Sequence, residues 1–246
     1  MIAVRWAMLA MTTVPMLAAL GATASDLQPS AQRLAITAVA GLTAPLFWPG
    51  AAATPARTAL RIAAWSFAAA CLAAIELRIA GGSAQPFARI AAACAMLLLV
   101  LLVTHAFAAA LEGRLRGRAR DAEDAREIAG RAAAIALALL GSLPLWLGPA
   151  GELLASRYAW MIDAVVGASP LTHLAVASGN DLLRNQWFYQ HSNLAALQFS
   201  YPGLAEITLS YAAVCLALAF VALAARSARR PVGGTTPTFP GKEHPK

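Results

Sequence analysis

Charge is what this sequence most conspicuously lacks. Only 13% of its 246 residues are charged while 59% are hydrophobic, at a mean hydropathy of +0.62. A soluble domain carries about 25% charged residues, so several uninterrupted apolar runs at half that density point to a membrane protein. Cysteine is scarce too. Cys71, Cys94 and Cys215 each fall inside an apolar run, with no CxxC or Cys/His spacing. They read as small hydrophobes, and neither a disulfide framework nor a structural zinc site is indicated. No GxxxxGK[ST] motif occurs, so any ATP hydrolysis belongs to a partner. No serine sits in a GxSxG context, and Ser169, Ser178 and Ser192 do not select a hydrolytic triad. The sequence therefore assigns no catalytic residue, cofactor or metal.

The charge that is present is positive, at +7 net. Most of it sits in short segments between apolar runs, the distribution of the positive-inside rule, which argues against a nucleic-acid partner. Six runs follow one another: Ile2 to Ala22, Leu34 to Ala53, Ala59 to Ala80, Arg89 to Leu111, Arg131 to Leu147 and Leu204 to Ala225. About 20 apolar residues suffice to span a bilayer. The expected fold is an all-α polytopic membrane bundle of about six transmembrane helices. The first run reads either as an uncleaved helix or as a signal peptide cut near Ala22-Thr23-Ala24. Pro45 and Pro49 are expected to kink the second, because proline frees backbone carbonyls. Glu76 and Arg78 read as snorkelling toward head groups. His105, in the most apolar run, reads as a helix-packing hydrogen bond rather than a proton relay or haem ligand.

Tracing the serpentine puts Arg5, Arg57/Arg61, Arg114–Arg120 and Arg226–Arg230 on one side. The expectation is a bacterial-type inner membrane, with both termini in the cytoplasm. Residues 1–230 form one transmembrane domain, and 231–246 form a disordered cytoplasmic tail rich in Pro, Gly and Thr. Arg114, Arg116, Arg118 and Arg120 open the densest charge in the chain. They read first as a solvated loop, and more sharply as a docking surface for a soluble partner.

Residues 148–202 stand apart, since a connector between helices needs only about two to eight residues. This stretch is expected to be an extracytoplasmic helical insertion, two or three short interfacial helices before the last span. Ser169-Pro170 is a helix start, serine at the cap and proline in the first turn. Asn180 or Asp181 caps a following helix from Leu182. Eight of the 18 aromatics lie between Trp146 and Tyr201, an interfacial belt or a binding platform. The candidate functional residues are Asp163, His173, Asp181, Arg184, Trp187, Tyr189 and His191. Asp181 and Arg184, three apart, also make an ordinary helical ion pair. His173 and His191 lack metal-ligand spacing.

Six spans with both ends inside, short helices before the last, and the stretch from Ser169-Pro170 through Asn180-Asp181-Leu182-Leu183-Arg184 and Trp187-Phe188-Tyr189 to Tyr201-Pro202 resemble the membrane subunits of ABC-2-type exporters. The resemblance implies a permease-like subunit that works with a separate cytoplasmic ATPase, as a homodimer in the lipid bilayer. Two features depart from it. The first run starts almost at Met1, where the family has an amphipathic helix. Thr54 to Thr58 is barely a turn, where the family has an ATPase-contacting loop, so Arg114–Glu127 would take that role. The alternative is a non-catalytic assembly subunit of another membrane complex, docking an extracytoplasmic partner. A third reading is an enzyme at the outer surface using Asp163, Asp181, Arg184 and His191.

Overall fold

The computed structural model describes residues 28–81, 86–116, 121–147, 150–151, 158, 160–184, 186–191 and 200–227. Every regular element among them is helical, with no strand. In chain order they are α1 (Pro29–Thr43), a 3₁₀ turn (Ala44–Phe47), α2 (Pro55–Gly81), α3 (Phe87–Leu115) and α4 (Ala122–Gly141). Then come α5 (Leu143–Trp146), α6 (Trp160–Ala168), α7 (Pro170–Ser178), a 3₁₀ turn (Leu182–Arg184), α8 (Gln186–His191) and α9 (Leu204–Ser227). The first apolar run, the tail, Arg118, Arg120 and residues 152–157 lie outside the described residues, as do the side chains of Trp187, Tyr189 and His191.

α3 is the axle. Its most apolar window has a mean hydropathy of 2.5, and α1, α2, α4, α7 and α9 all pack against it. A helix apolar on every side is one that neighbours surround. At 29 residues it is about 43 Å long, more than the ~30 Å hydrocarbon thickness of a bilayer. Ile90, Ala93, Leu97, Val100, Leu101 and Ala108 are buried along it.

The other helices bury many small residues and leave several large apolar ones outward. On α2, Trp65, Ala69, Ala73 and Leu77 are buried at four-residue steps, whereas Leu60, Phe67, Ile75 and Ile79 are exposed. Ile135 and Leu139 on α4 and Leu209, Leu216 and Phe220 on α9 are likewise exposed. Water would penalise such a surface, but lipid does not, and small inward residues let helix backbones approach closely. α4 meets the turn after α1 in this way: a Cβ on Gly130 would lie 2.7 Å from the Pro45 carbonyl oxygen.

By length and composition, α2 and α3 can each cross a membrane, and α6 with α7 pass the same test together despite a 77° bend. Two or three crossing units are thus present among the described residues, against the six runs read from the sequence. The first run lies outside the described residues, and the side chains of the last are described only to Phe220; two of the described runs fall short for physical reasons. α4 carries Glu123, Asp124, Arg126, Glu127 and Arg131 in its first half. α1 is 15 residues long and tightens into the 3₁₀ turn at Pro45, as the proline predicts. The segment before α9 also differs from a purely interfacial insertion. α7 is sunk into the bundle, with Leu174, Ala175 and Ala177 in the main core.

Candidate functional site

Two places concentrate polar chemistry. The first is the end where α3 finishes. Glu112 is 1% exposed, and its carboxylate accepts from Trp48 Nε1 (2.9 Å), Ala51 N (2.8 Å) and Arg116 Nη2 (2.7 Å). Arg116 also donates to Ala51 O at 3.0 Å, and Arg61 to Gly50 O at 3.3 Å. Gly50 has φ +90°, and a Cβ there would sit 2.8 Å from Arg126 Cδ, so the chain passes this point only as glycine. Asp121 opens α4 by accepting from the amides of Glu123 and Asp124, a helix N-cap. This latch ties the turn after α1 to the end of α3 and the start of α4. It gathers Arg61, Arg114 and Arg116 at one end. Arg114 is exposed there, while Arg116 is occupied by the latch.

About two turns below Glu112 on α3, Trp48 stacks on His105 with ring centroids 5.5 Å apart, and His105 Nδ1 lies 2.8 Å from Ser66 Oγ on α2. His105 is thus a packing residue between α2 and α3, as expected. Glu76 is buried while Arg78 is exposed, so snorkelling does not describe the glutamate.

The second place is the elbow between α6 and α7. Ser169 caps α7, accepting from Thr172 N at 3.4 Å and donating to Gly141 O at the end of α4 at 2.9 Å. Pro170 occupies the first turn, as the dipeptide predicts. The break leaves the Gly167 carbonyl without a helical partner, and His173 Nε2 reaches it at 2.9 Å. His173 Nδ1 lies 3.0 Å from Tyr211 Oη on α9, ring edge to face. A carbonyl only accepts, so Nε2 carries the proton. In the neutral ring Nδ1 is then the acceptor, and the Tyr211 hydroxyl donates to it. Freed backbone at membrane depth must be satisfied by neighbouring side chains, and this pair does so.

Beside the elbow a half-open cavity of about 430 Å³ is lined by α3, α4, α6, α7 and α9. Its walls are Val100, Phe107, Leu137, Leu140 and Val214, with Tyr211 and His173 at the polar end. It lies level with the middle of α3, and the size is that of a small-ligand site.

Asp163, Asp181 and Arg184 are brought to the entry of α9. Asp163 Oδ1 accepts from Ser200 N at 3.0 Å and Ser200 Oγ at 3.3 Å. Asp181 Oδ1 accepts from Tyr201 Oη at 2.5 Å, and its other oxygen lies 3.9 Å from Arg184 Nε. Tyr201 in turn accepts from Leu183 N at 3.2 Å. Burial, then the bond to Asp181, push the Tyr201 phenol pKa up. Both carboxylates are thus used in holding residues 200–201, and His173 joins neither. No group of three potential metal ligands occurs among the described residues. At the same end, Arg33 donates twice to Ser178 O (3.0 and 2.8 Å), a cationic cap on α7. Tyr211, Glu112 and Arg33 were not among the sequence candidates. A tyrosine inside an apolar run and a glutamate four residues before an arginine were the signals available.

The fold and these sites define an all-α membrane protein built on a central apolar helix with a broken helical pair beside it. Comparison with protein-family models, curated proteins and solved structures finds no match.

Proposed function

We propose that the chain is the membrane subunit of a transport complex, permease-like in the ABC-2 manner, powered by a separate cytoplasmic ATPase. The observation that carries this reading is the elbow. A broken helical pair enters the bundle beside the central helix, with its freed backbone satisfied by side chains and an apolar cavity next to it. Irregular backbone at membrane depth is tolerated only where protein covers it or it lines a cavity, and discontinuous helices of this kind form transporter binding sites. The arginine-rich end, with Arg114, Arg118 and Arg120, serves as the cytoplasmic docking face. Both termini lie on that side of a bacterial inner membrane, and two copies pair to complete the pathway.

The test reverses Arg114, Arg118 and Arg120 to Glu together and leaves Arg116 in place, since the latch uses it. Copurification of an ATPase with the native chain, and its loss in the triple variant, is the expected result. A native chain that purifies alone and stimulates no ATPase overturns the proposal.

A second reading, an assembly subunit docking an extracytoplasmic partner, draws on the exposed Trp146, Tyr158 and Trp160 near the elbow. Photocrosslinking from position 160 to a periplasmic protein would favour it over transport. Crosslinks to lipid alone would leave those rings as an interfacial belt.

A further inference from the structure

We propose that the elbow cavity takes the aliphatic chain of a bilayer lipid whose uncharged polar end carries a hydroxyl group. This deepens the transport reading, and rests on it for the lipid's role as cargo. Three observations converge. The cavity wall is almost wholly apolar and continuous with the outer surface. Phe107, Leu140 and Val214 line it and are themselves 36%, 48% and 45% exposed, so an occupant enters sideways from the hydrocarbon. No Asp, Glu, Lys or Arg lines it, which disfavours an ionised head group in so apolar a setting.

The hydrogen-bond inventory at the polar end then selects the functional group. Thr104 donates its hydroxyl proton to Val100 O at 2.7 Å. Tyr211 donates to His173, and His173 donates to Gly167 O. The lone pairs of Tyr211 Oη and Thr104 Oγ1 remain, and both are acceptors. Ser210, exposed on the rim, makes no hydrogen bond among the described residues and can donate. A ligand that donates to Tyr211 and accepts from Ser210 is matched by a hydroxyl. An ether or ester oxygen, which cannot donate, leaves the Tyr211 lone pair unmet.

The experiment uses the purified full chain in lipid nanodiscs and a long-chain alcohol bearing a photoactivatable diazirine in mid-chain, with its methyl ether as control. Expected are saturable labelling of α3 or α9 and a preference of about tenfold for the alcohol, the scale of one hydrogen bond in a dry site. Tyr211→Phe should erase that preference. Val214→Trp, at a half-exposed position, should fill the cavity and cut labelling by about tenfold or more, relative to this same scale, and Ala136→Leu should reduce it from the opposite wall. Melting curves of each variant show that it is folded. Unsaturable labelling, equal labelling by alcohol and ether, indifference to both filling variants, or a crosslink from position 214 to a second copy overturns the proposal. Loss of labelling with ATPase copurification intact removes the cavity assignment alone. Saturable labelling with no ATPase partner removes the transport reading alone.

Discussion

The latch and the elbow solve the same problem with opposite chemistry. Each must satisfy backbone groups that an interrupted helix leaves open: the turn at Trp48–Ala51 in one case, the break at Gly167–Ser169 in the other. At the latch the acceptor is a buried carboxylate, with Trp48, Ala51 and Arg116 all donating to it. At the elbow the partners are neutral, a histidine and a tyrosine joined in series. The difference follows from surroundings. The latch sits at the end of α3 next to Arg114 and Arg116, where water can reach the guanidinium. The elbow lies level with the middle of α3, where a lone charge would be expensive. The latch can therefore be fastened by charge, while the elbow itself has only dipoles and keeps a cavity beside it.

The sharpest way to break that comparison is to remove the latch's charge. Glu112→Ala leaves the buried Trp48 Nε1 and the half-buried Ala51 N without this acceptor and removes one partner of Arg116. The expected cost is about 3–5 kcal/mol, the range for breaking a buried charged network. Thermal unfolding in detergent reads it as a large fall in midpoint or a failure to accumulate. A loss under about 1 kcal/mol, smaller than a single charged hydrogen bond, would mean that the carboxylate does not fasten the turn. His173→Leu tests the elbow at lower stakes. It leaves the Gly167 carbonyl and the Tyr211 hydroxyl unmet, but hydrogen bonds at membrane depth average only about 0.6 kcal/mol each. The expected loss is thus about 1–2 kcal/mol, well below that of the latch. If His173→Leu proved the costlier change, the charged and neutral fastenings would have to be ranked the other way.

How much of this was legible in the sequence depends on how far apart the partners lie. Ser169-Pro170 was readable as a helix start because capping is settled within three residues. Pro45 was readable as a break because its ring acts on its own turn. The paired chemistry was not readable in this way. Glu112 meets Trp48 across 64 residues and His173 meets Tyr211 across 38, and nothing local in either stretch announces the other. His173 could be picked out as a polar residue in an apolar setting, but its partner could not. Asp163 and Asp181 drew attention as titratable groups in the aromatic segment. Both turn out to hold the entry to α9, because an acceptor near a chain reversal is claimed by the nearest free donors. The all-helical character was legible as apolar runs, and two or three of them make crossing units among the described residues.

The smallest effect concerns that entry to α9. Tyr201 links Asp181 to the Leu183 amide, and Tyr201→Phe should cost about 1 kcal/mol at neutral pH, the net value of one such hydrogen bond. The phenol carries a further signature. Its pKa is raised in the folded chain, first by burial and then by the bond to Asp181, whereas in the unfolded chain it ionises near pH 10. Above that value the unfolded state sheds the proton while the folded state keeps it, so stability falls as pH rises from about 10 toward the folded pKa. The hydrogen bond's contribution is fully present below that window. Tyr201→Phe should therefore be less stable than the native chain at pH 8 and should close the gap as the pH climbs past 10. Arg184→Ala, which removes an exposed ion pair 3.9 Å long, should shift neither curve by more than about 0.5 kcal/mol. A constant gap between native and Tyr201→Phe across this range would show that Tyr201 acts by packing alone, and that the entry to α9 does not depend on its proton.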